Sequence, residues 1–569
     1  MNPTTSWRRF AKRYAIVAVV LAGACSPDGM DATQDTYDPE CGGDTEPAVY
    51  ECPSGVYECP DELACVGGLC VDNCSSAYQC YPLDGCRTAD NVCGLCLYDA
   101  DCRSGEGCTE GVCLPDHIPQ WELYITDSDW VTLPTLSDSP TTDQENDTVP
   151  CELNADGVVY DQDVQVKFRG GSTLKLPERS FRIEFPEDAD HPGFQRKINL
   201  RAEYNDPSVM RTFLAFETAR RWSINPTPKV RYIDLYLRTD QDEDPYLDDN
   251  YYGLVIEIER LGGKFLEDNN RNRDLPLLEA KWVDRHGTFT PDEEDYEEFY
   301  IQSSGTVAGV VDVEDLIEEV LEPDWESFME TGWNTSGLAL DAIRTDAYLG
   351  YLSAMAALQC HDHVTNNFYF SYQSMGVEAP GWEFYPADLD MTFGCLWDSA
   401  NHNPICDTFS NDGWWLNGLF DYEDDVELGV DDYWGNLAIH SVLSHEPTVT
   451  AYEELLCKNI DSRWWNDRLP DVIYALSVDL EDDALERESR FERDWSTWEQ
   501  DKRDHFPLYY EEAQERLDEA LEEFEAQKDP PEEEERPRLE EFLVDIAQEE
   551  IFEFIEERHD YLRGSIGCR

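Results

Sequence analysis

The tightest constraint on the fold lies between His361 and Gly394, where the chain reads HDHVTNNFYFSYQSMGVEAPGWEFYPADLDMTFG. Phe368–Tyr372 and Trp382–Tyr385 are dense in aromatic rings, and Gly376 and Gly381 mark a loop between them. The pattern predicts two antiparallel strands joined as a hairpin. A hairpin brings its outer ends together, so Asp362 and Asn367 should come to lie beside Asp388 and Asp390. Acids around one neutral oxygen donor form a site for a hard cation, of the kind Mg²⁺ uses next to phosphates. The competing account is a hairpin with acidic turns, since loops are polar for ordinary reasons.

Composition narrows the field. A chain of 569 residues allows two or three domains. Its 12% aromatic content, with 16 Trp, calls for a sizeable packed core. The formal net charge of -81 argues against nucleic-acid binding, which needs clustered Lys and Arg, and against anionic lipid surfaces.

The first residues look like a targeting segment. Arg8, Arg9, Lys12 and Arg13 precede an apolar run, Tyr14–Ala24, that is too short to span a bilayer. Leu-Ala-Gly-Ala before Cys25 resembles a bacterial lipobox. The expectation is a signal peptide over 1–24, a lipidated Cys25, and a polar tether over 25–50. That makes an exported cell-envelope lipoprotein, on the outer membrane or cell surface, touching membrane through its lipid alone. An ordinary cleaved leader is the alternative.

Residues 51–115 repeat a cysteine pattern: Cys52, Cys59, Cys65, Cys70; then Cys74, Cys80, Cys86, Cys93; then Cys96, Cys102, Cys108, Cys113. So little apolar material requires covalent crosslinks, which an oxidising compartment permits. The units look like small EGF-like disulfide modules. Zinc is disfavoured because the run has no His.

Residues 117–569 read as the large domain. Trp121–Ile125, Asp163–Phe168, Ile198–Ala202, Val230–Leu237 and Tyr251–Leu261 carry strand patterns, and Lys264–Leu266 is read with them. Ser208 is placed as N-cap of a helix over Val209–Trp222. Glu217, within that helix, either faces solvent or pairs with a cation on the strands. A long apolar helix is expected over Leu338–Leu358, and acidic helices near the C-terminus. The turn Arg169-Gly170-Gly171-Ser172-Thr173, followed by Lys175, Arg179 and Arg182, could present backbone N–H groups and cations to phosphate, or be a plain hairpin turn. Cys395 and Cys406 could brace the cleft mouth, with Cys151, Cys360, Cys457 and Cys568 also available for pairing. His361, His363 and His402 lack the helical spacing of a zinc motif.

These landmarks, taken in order, resemble the spore-coat protein H (CotH) kinase family. Those that carry the resemblance are Arg169-Gly-Gly-Ser-Thr, Arg179-Ser-Phe-Arg-Ile, Ile198-Asn-Leu, Asp206-Pro-Ser with Met210-Arg211, Tyr252-Gly-Leu with Glu259, the His361–Gly394 segment, and Arg558–Ile566 with Tyr561-Leu-Arg563. The resemblance implies an α+β fold of the atypical protein-kinase type, with a mixed or antiparallel sheet and a helical part, behind the small disulfide-rich modules. It implies transfer of the ATP γ-phosphate to Ser or Thr of a protein, using Mg²⁺ or Mn²⁺. Asp362 would be the catalytic acid, with Asn367, Asp388 and Asp390 as metal ligands. Arg169, Ser172, Lys175, Arg179, Arg182 and Glu259 would contact the nucleotide. In one departure, Arg179 stands where the family usually has Lys, and the two differ in phosphate geometry.

Two readings follow: an extracytoplasmic protein kinase, or a catalytically inactive surface lipoprotein that keeps the fold. A third class, a metal-dependent phosphohydrolase, would also cluster acids.

Overall fold

The computed structural model describes residues 117–568 apart from 138–147, 171–177, 188, 205, 241–250, 281–288, 290–299, 306–309, 322, 325–326, 328–335, 361–362, 364–366, 374–379, 399–402, 407–435, 481–483, 485–506 and 526–536. Before residue 117 it describes short hairpins only. These pair Leu63–Val66 with Leu69–Asp72, Gly85–Arg87 with Val92–Gly94, and Glu106–Thr109 with Val112–Pro115. Their registers set Cys65 opposite Cys70, Cys86 opposite Cys93 and Cys108 opposite Cys113. Val112 and Leu114 of the last hairpin lie in the main core. The expectations for residues 1–50, Cys25 included, fall outside the described residues.

The large domain is α+β. The strands of its two larger sheets are β1 (Gln120–Tyr124), β2 (Val149–Pro150), β3 (Glu152–Ala155), β4 (Val158–Tyr160), β5 (Gln165–Arg169), β6 (Ser180–Glu184), β7 (Lys197–Ala202), β8 (Val230–Arg238), β9 (Tyr251–Ile258), β10 (Leu277–Ala280), β11 (Tyr300–Ser304), β12 (Phe368–Gln373) and β13 (Gly381–Pro386). The first nine form one sheet in the order β4-β3-β1-β8-β9-β7-β6-β5-β2. Only the β1–β8 contact is parallel. The other four form a second sheet, β11-β10-β12-β13. The helices used below are α1 (Asp127–Ser137), α2 (Arg211–Trp222), α3 (Thr345–Leu358), α4 (Leu437–Leu443), α5 (Glu446–Ile460) and α6 (Leu539–Ile566).

Alternation along β5–β9 gives the large sheet two unlike faces. One face gathers Phe168, Phe181, Ile183, Leu200, Ile233 and Val255 into an apolar cluster, and Trp130 of α1 packs edge-on against Phe168. The opposite face is apolar only over β8 and β9, where Tyr232, Leu254 and Ile256 join the main core. There α2 packs against it, with Phe213 stacked on Tyr232. Helix α3 lies beyond, its Tyr348 ring 4.4 Å from Phe384 of β13. Gly350 makes this packing possible, because an added Cβ would sit 2.8 Å from the Trp222 carbonyl oxygen. A disulfide, Cys457–Cys568, ties α5 to the chain two residues past the C-terminal helix α6. Among the described residues no helix is long and apolar enough to cross a membrane.

Three local expectations are corrected. Helix α2 starts at Arg211, not Val209, and Ser208 is not its N-cap. The Asp206 carboxylate instead accepts from the Met210 and Arg211 amides, both at 2.9 Å, and pairs with the Arg211 guanidinium. Charge and length favour the carboxylate, and Val209 is forced to φ 57 in the turn it closes. Lys264–Leu266 is helical, within Gly263–Asp268, where Lys264 pairs with Asp268 one turn on. The apolar run from Leu338 splits into Leu338–Ala342 and α3. It breaks at Ile343–Arg344, where the Arg344 amide donates to the Trp382 carbonyl of β13 instead of continuing a helix.

On β13, Glu383 is wholly buried and serves two arginines. Arg271 meets it with Nε at 2.7 Å and Nη2 at 3.0 Å, and Arg344 adds a third bond. The Tyr385 hydroxyl donates to the same carboxylate at 2.8 Å. A buried ion network gains little over apolar packing, but removing one member strands the others. Glu383→Ala is therefore expected to cost about 3–5 kcal/mol in urea unfolding; a loss below about 1 kcal/mol would show that the arginines find water or other partners.

His440 of α4 is buried, and burial pushes its imidazole down to about 4. The unfolded chain, titrating at about 6.5, binds the proton more readily, so the neutral ring's contribution is present above that pH and is lost towards about 4. The stability difference between the wild type and His440→Gln should shrink as pH falls from about 6.5 to about 4. A difference that stays constant across this range would refute the burial argument.

Candidate active site

The aromatic hairpin forms as its sequence predicts. β12 and β13 pair from Phe368 opposite Pro386 to Gln373 opposite Gly381. One further backbone bond, Ala387 N to Asn367 O at 3.0 Å, closes the open end. Asn367 and Asp388 thus stand side by side at the mouth. Both are left-handed, at φ 58 and 54, a conformation that Asn and Asp tolerate better than other residues with a Cβ. The acidic turn is tied down at its far side, where the Phe393 amide donates to the Leu358 carbonyl at the end of α3 at 2.9 Å. The hairpin end and the helix that precedes Cys360 therefore share one anchor.

Opposite the mouth lies the β5–β7 half of the large sheet. Lys167, Arg182 and Asn199 are cross-strand neighbours on β5, β6 and β7, so their side chains share a face. The Arg182 Nε donates to Asn199 Oδ1 at 3.1 Å. Arg169 lies two residues beyond Lys167 on the same face. Burial, with Arg182 and then Arg201 nearby, pushes its guanidinium down to about 9, while Tyr369 and Glu279 of the second sheet pull the other way. Glu279 and Tyr369 are partners across β10 and β12. The cationic wall and the hairpin therefore face each other.

Arg201, near the end of β7, joins them. Its Nη1 meets the Asp388 carboxylate and its Nη2 the Asp390 carboxylate. Its Nε lies 3.1 Å from Glu203 Oε1. Glu203 in turn accepts from the Thr212 hydroxyl of α2 at 2.9 Å. Burial pushes the Glu203 carboxyl up to about 7, against the pull of Arg201. The sequence reading missed Arg201 and Glu203. The one available signal was alternation: the two residues share a face as β7 runs out, just ahead of Asp206.

The remaining predicted residues divide. Asp362, Ser172 and Lys175 lie outside the described residues. Arg179 points to the opposite face of β6 from Arg182, with its guanidinium 4.9 Å from the Phe168 ring centroid. The Tyr252 hydroxyl clasps its backbone on both sides. Glu259 is buried and sits with Lys229, accepting from its amide at 3.2 Å; it is a local partner at the end of β9. Glu217 pairs with Arg220 and Arg221 of its own helix, not with the strands. The His363 ring meets the Cys360 carbonyl. Among the described residues no group of three or more His, Cys, Asp and Glu stands ready to hold a metal ion. Asn367, Asp388 and Asp390 nevertheless offer the hard oxygen donors that suit Mg²⁺ or Mn²⁺. A cation already spans the two aspartates, and it is a guanidinium.

Cations on one wall, acids on the other and a shared mouth suit an anion carried with a metal ion. No curated protein matches the chain. The family model described as CotH kinase protein matches residues 166–562, which takes in every element of this site, and the chain belongs to that family.

Proposed function

We propose that this protein is an atypical protein kinase that transfers the γ-phosphate of ATP to a Ser or Thr hydroxyl of another protein. Membership of the family supports the reaction class. The observation that carries it to these residues is the cationic wall of β5–β7 facing the Asn367–Asp388 hairpin mouth. We read the two sheets and the helices behind them as the family's kinase-like arrangement. We also infer, from the leader and cysteine pattern, an exported envelope lipoprotein held by lipid on Cys25 and carrying disulfide modules over 51–115.

In this reading Arg169 and Arg182 hold phosphate oxygens, with bidentate geometry available to each guanidinium. Asn367, Asp388 and Asp390 would hold Mg²⁺ or Mn²⁺, which neutralises charge on the transferring phosphate when bound. Asp362 orients the acceptor hydroxyl and takes its proton. Asn199 steadies Arg182 through its side-chain oxygen. The protein's own share of the work is positioning and electrostatic preorganisation.

One observation favours the second reading, an inactive binding protein of the same fold. Arg179 replaces the usual Lys, and its guanidinium lies over Phe168, away from the wall. The test is incubation of the full-length chain with labelled ATP, Mg²⁺ or Mn²⁺, and an acidic Ser-rich protein. Label should pass to the protein acceptor and fall by about 100-fold or more in Asp362→Ala and Asp388→Ala. Arg182→Gln should raise the KM for ATP more than it lowers kcat. Equal labelling by wild type and both aspartate variants would remove the kinase reading. Phosphate release with no labelled acceptor would point to a phosphohydrolase.

A further inference from the structure

Arg201 occupies a position that the kinase reading leaves unexplained. Its side chain is 9% exposed, and it contacts Asp388, which is 45% exposed, and Asp390, which is 13% exposed. The third carboxylate, Glu203, is 2% exposed and lies behind it on the Nε side. Asp388 and Asp390 are two residues apart on one turn, and like charges that close repel unless a cation stands between them. A guanidinium is a planar fork and can serve two carboxylates along one side while a third holds the remaining edge.

A divalent ion would need the same oxygens. It cannot share them with a guanidinium, because both are cations and both approach from between the carboxylates. The Glu203 carboxylate faces the Nε side at 3.1 Å as an ion pair without a hydrogen bond, separate from the two aspartate contacts. A guanidinium that leaves the aspartates therefore still has Glu203 as a counter-charge.

We propose that Arg201 is a latch: without metal it bridges Asp388 and Asp390 to the large sheet, and a divalent cation binds by displacing its guanidinium from both. This rests on reading Asp388 and Asp390 as cation ligands. The latch keeps the acidic turn in its binding shape when no ion is present. It also holds the protein's affinity for bare metal below what the oxygen donors alone would give. Arg201 is thus a positioning residue that acts through the aspartates.

The test reads metal affinity, not turnover. Free Mn²⁺ is followed by its electron paramagnetic resonance signal during titration of the full-length chain in about 0.15 M salt, which screens the acidic surface. The proteins compared are the wild type, Arg201→Met, Arg201→Lys and Asp388→Asn. Asp388→Asn sets the background from the rest of the surface. Arg201→Met should bind Mn²⁺ tighter than the wild type by on the order of tenfold, the size of a close charge-pair coupling. Arg201→Lys keeps the charge, and so guards against loss of the fold, but an ammonium reaches both carboxylates poorly; its affinity should fall between the two. Wild-type affinity equal to or tighter than that of both Arg201 variants would overturn the latch. That result would leave the phosphotransfer assay unaffected and the kinase reading intact. If none of the proteins binds Mn²⁺ above the Asp388→Asn background, the latch and the metal-ligand assignment fall together.

Discussion

A single guanidinium, Arg201, meeting carboxylates from two parts of the chain, sets the geometry on which the site depends. Glu203 comes from just past the end of β7; Asp388 and Asp390 come from the turn after β13. The large sheet and the hairpin sheet are thereby brought into register at one point. Such a contact is worth little when exposed; when buried it gains little over apolar packing, but removing one partner strands the others. Here the arginine and two of its partners are largely buried, and Asp388 alone keeps substantial access to solvent. The exposed carboxylate marks the side from which a ligand can arrive.

The rest of the architecture explains why that point is polar at all. Alternation along β5–β9 commits one face of the sheet to an apolar cluster. The other face is divided by what covers it. Over β8 and β9, helix α2 supplies an apolar counterpart with α3 beyond it, and the sheet residues there are Tyr232, Leu254 and Ile256. Over β5–β7 the same face carries Lys167, Arg169, Arg182 and Asn199. In a chain with a net charge of -81, these cations are gathered on one stretch of sheet. In the proposed reaction that stretch would receive the anionic ligand that the rest of the surface repels.

Much of this was legible in order along the chain. The aromatic hairpin formed with the predicted pairing because dense rings and two glycines admit few alternatives, and Asn367 and Asp388 came together because a hairpin's ends must. Where the reading failed, a contact distant in sequence or a stronger competing group decided. Ser208 looked like a helix cap, yet Asp206 offers a charged acceptor with enough reach to serve the Met210 and Arg211 amides. Lys264–Leu266 looked like a continuing strand, yet it is a helix whose Phe265 and Leu266 are buried beside Leu277 and Tyr385, a packing decided by residues far along the chain. Arg179 carried the family landmark, yet the two-residue period of β6 sends it to the face opposite Arg182.

By itself the sequence determined the class of fold, the hairpin, the acids at its mouth and the family, because these depend on local periodicity and on an ordered series of short motifs. Only the tertiary structure decided which cations face those acids. Arg201 and Glu203 have no distinctive local pattern, and their importance arises from packing β7 against a turn nearly two hundred residues later. Periodicity reports which way a side chain points; it carries no information about the charge that will meet it there.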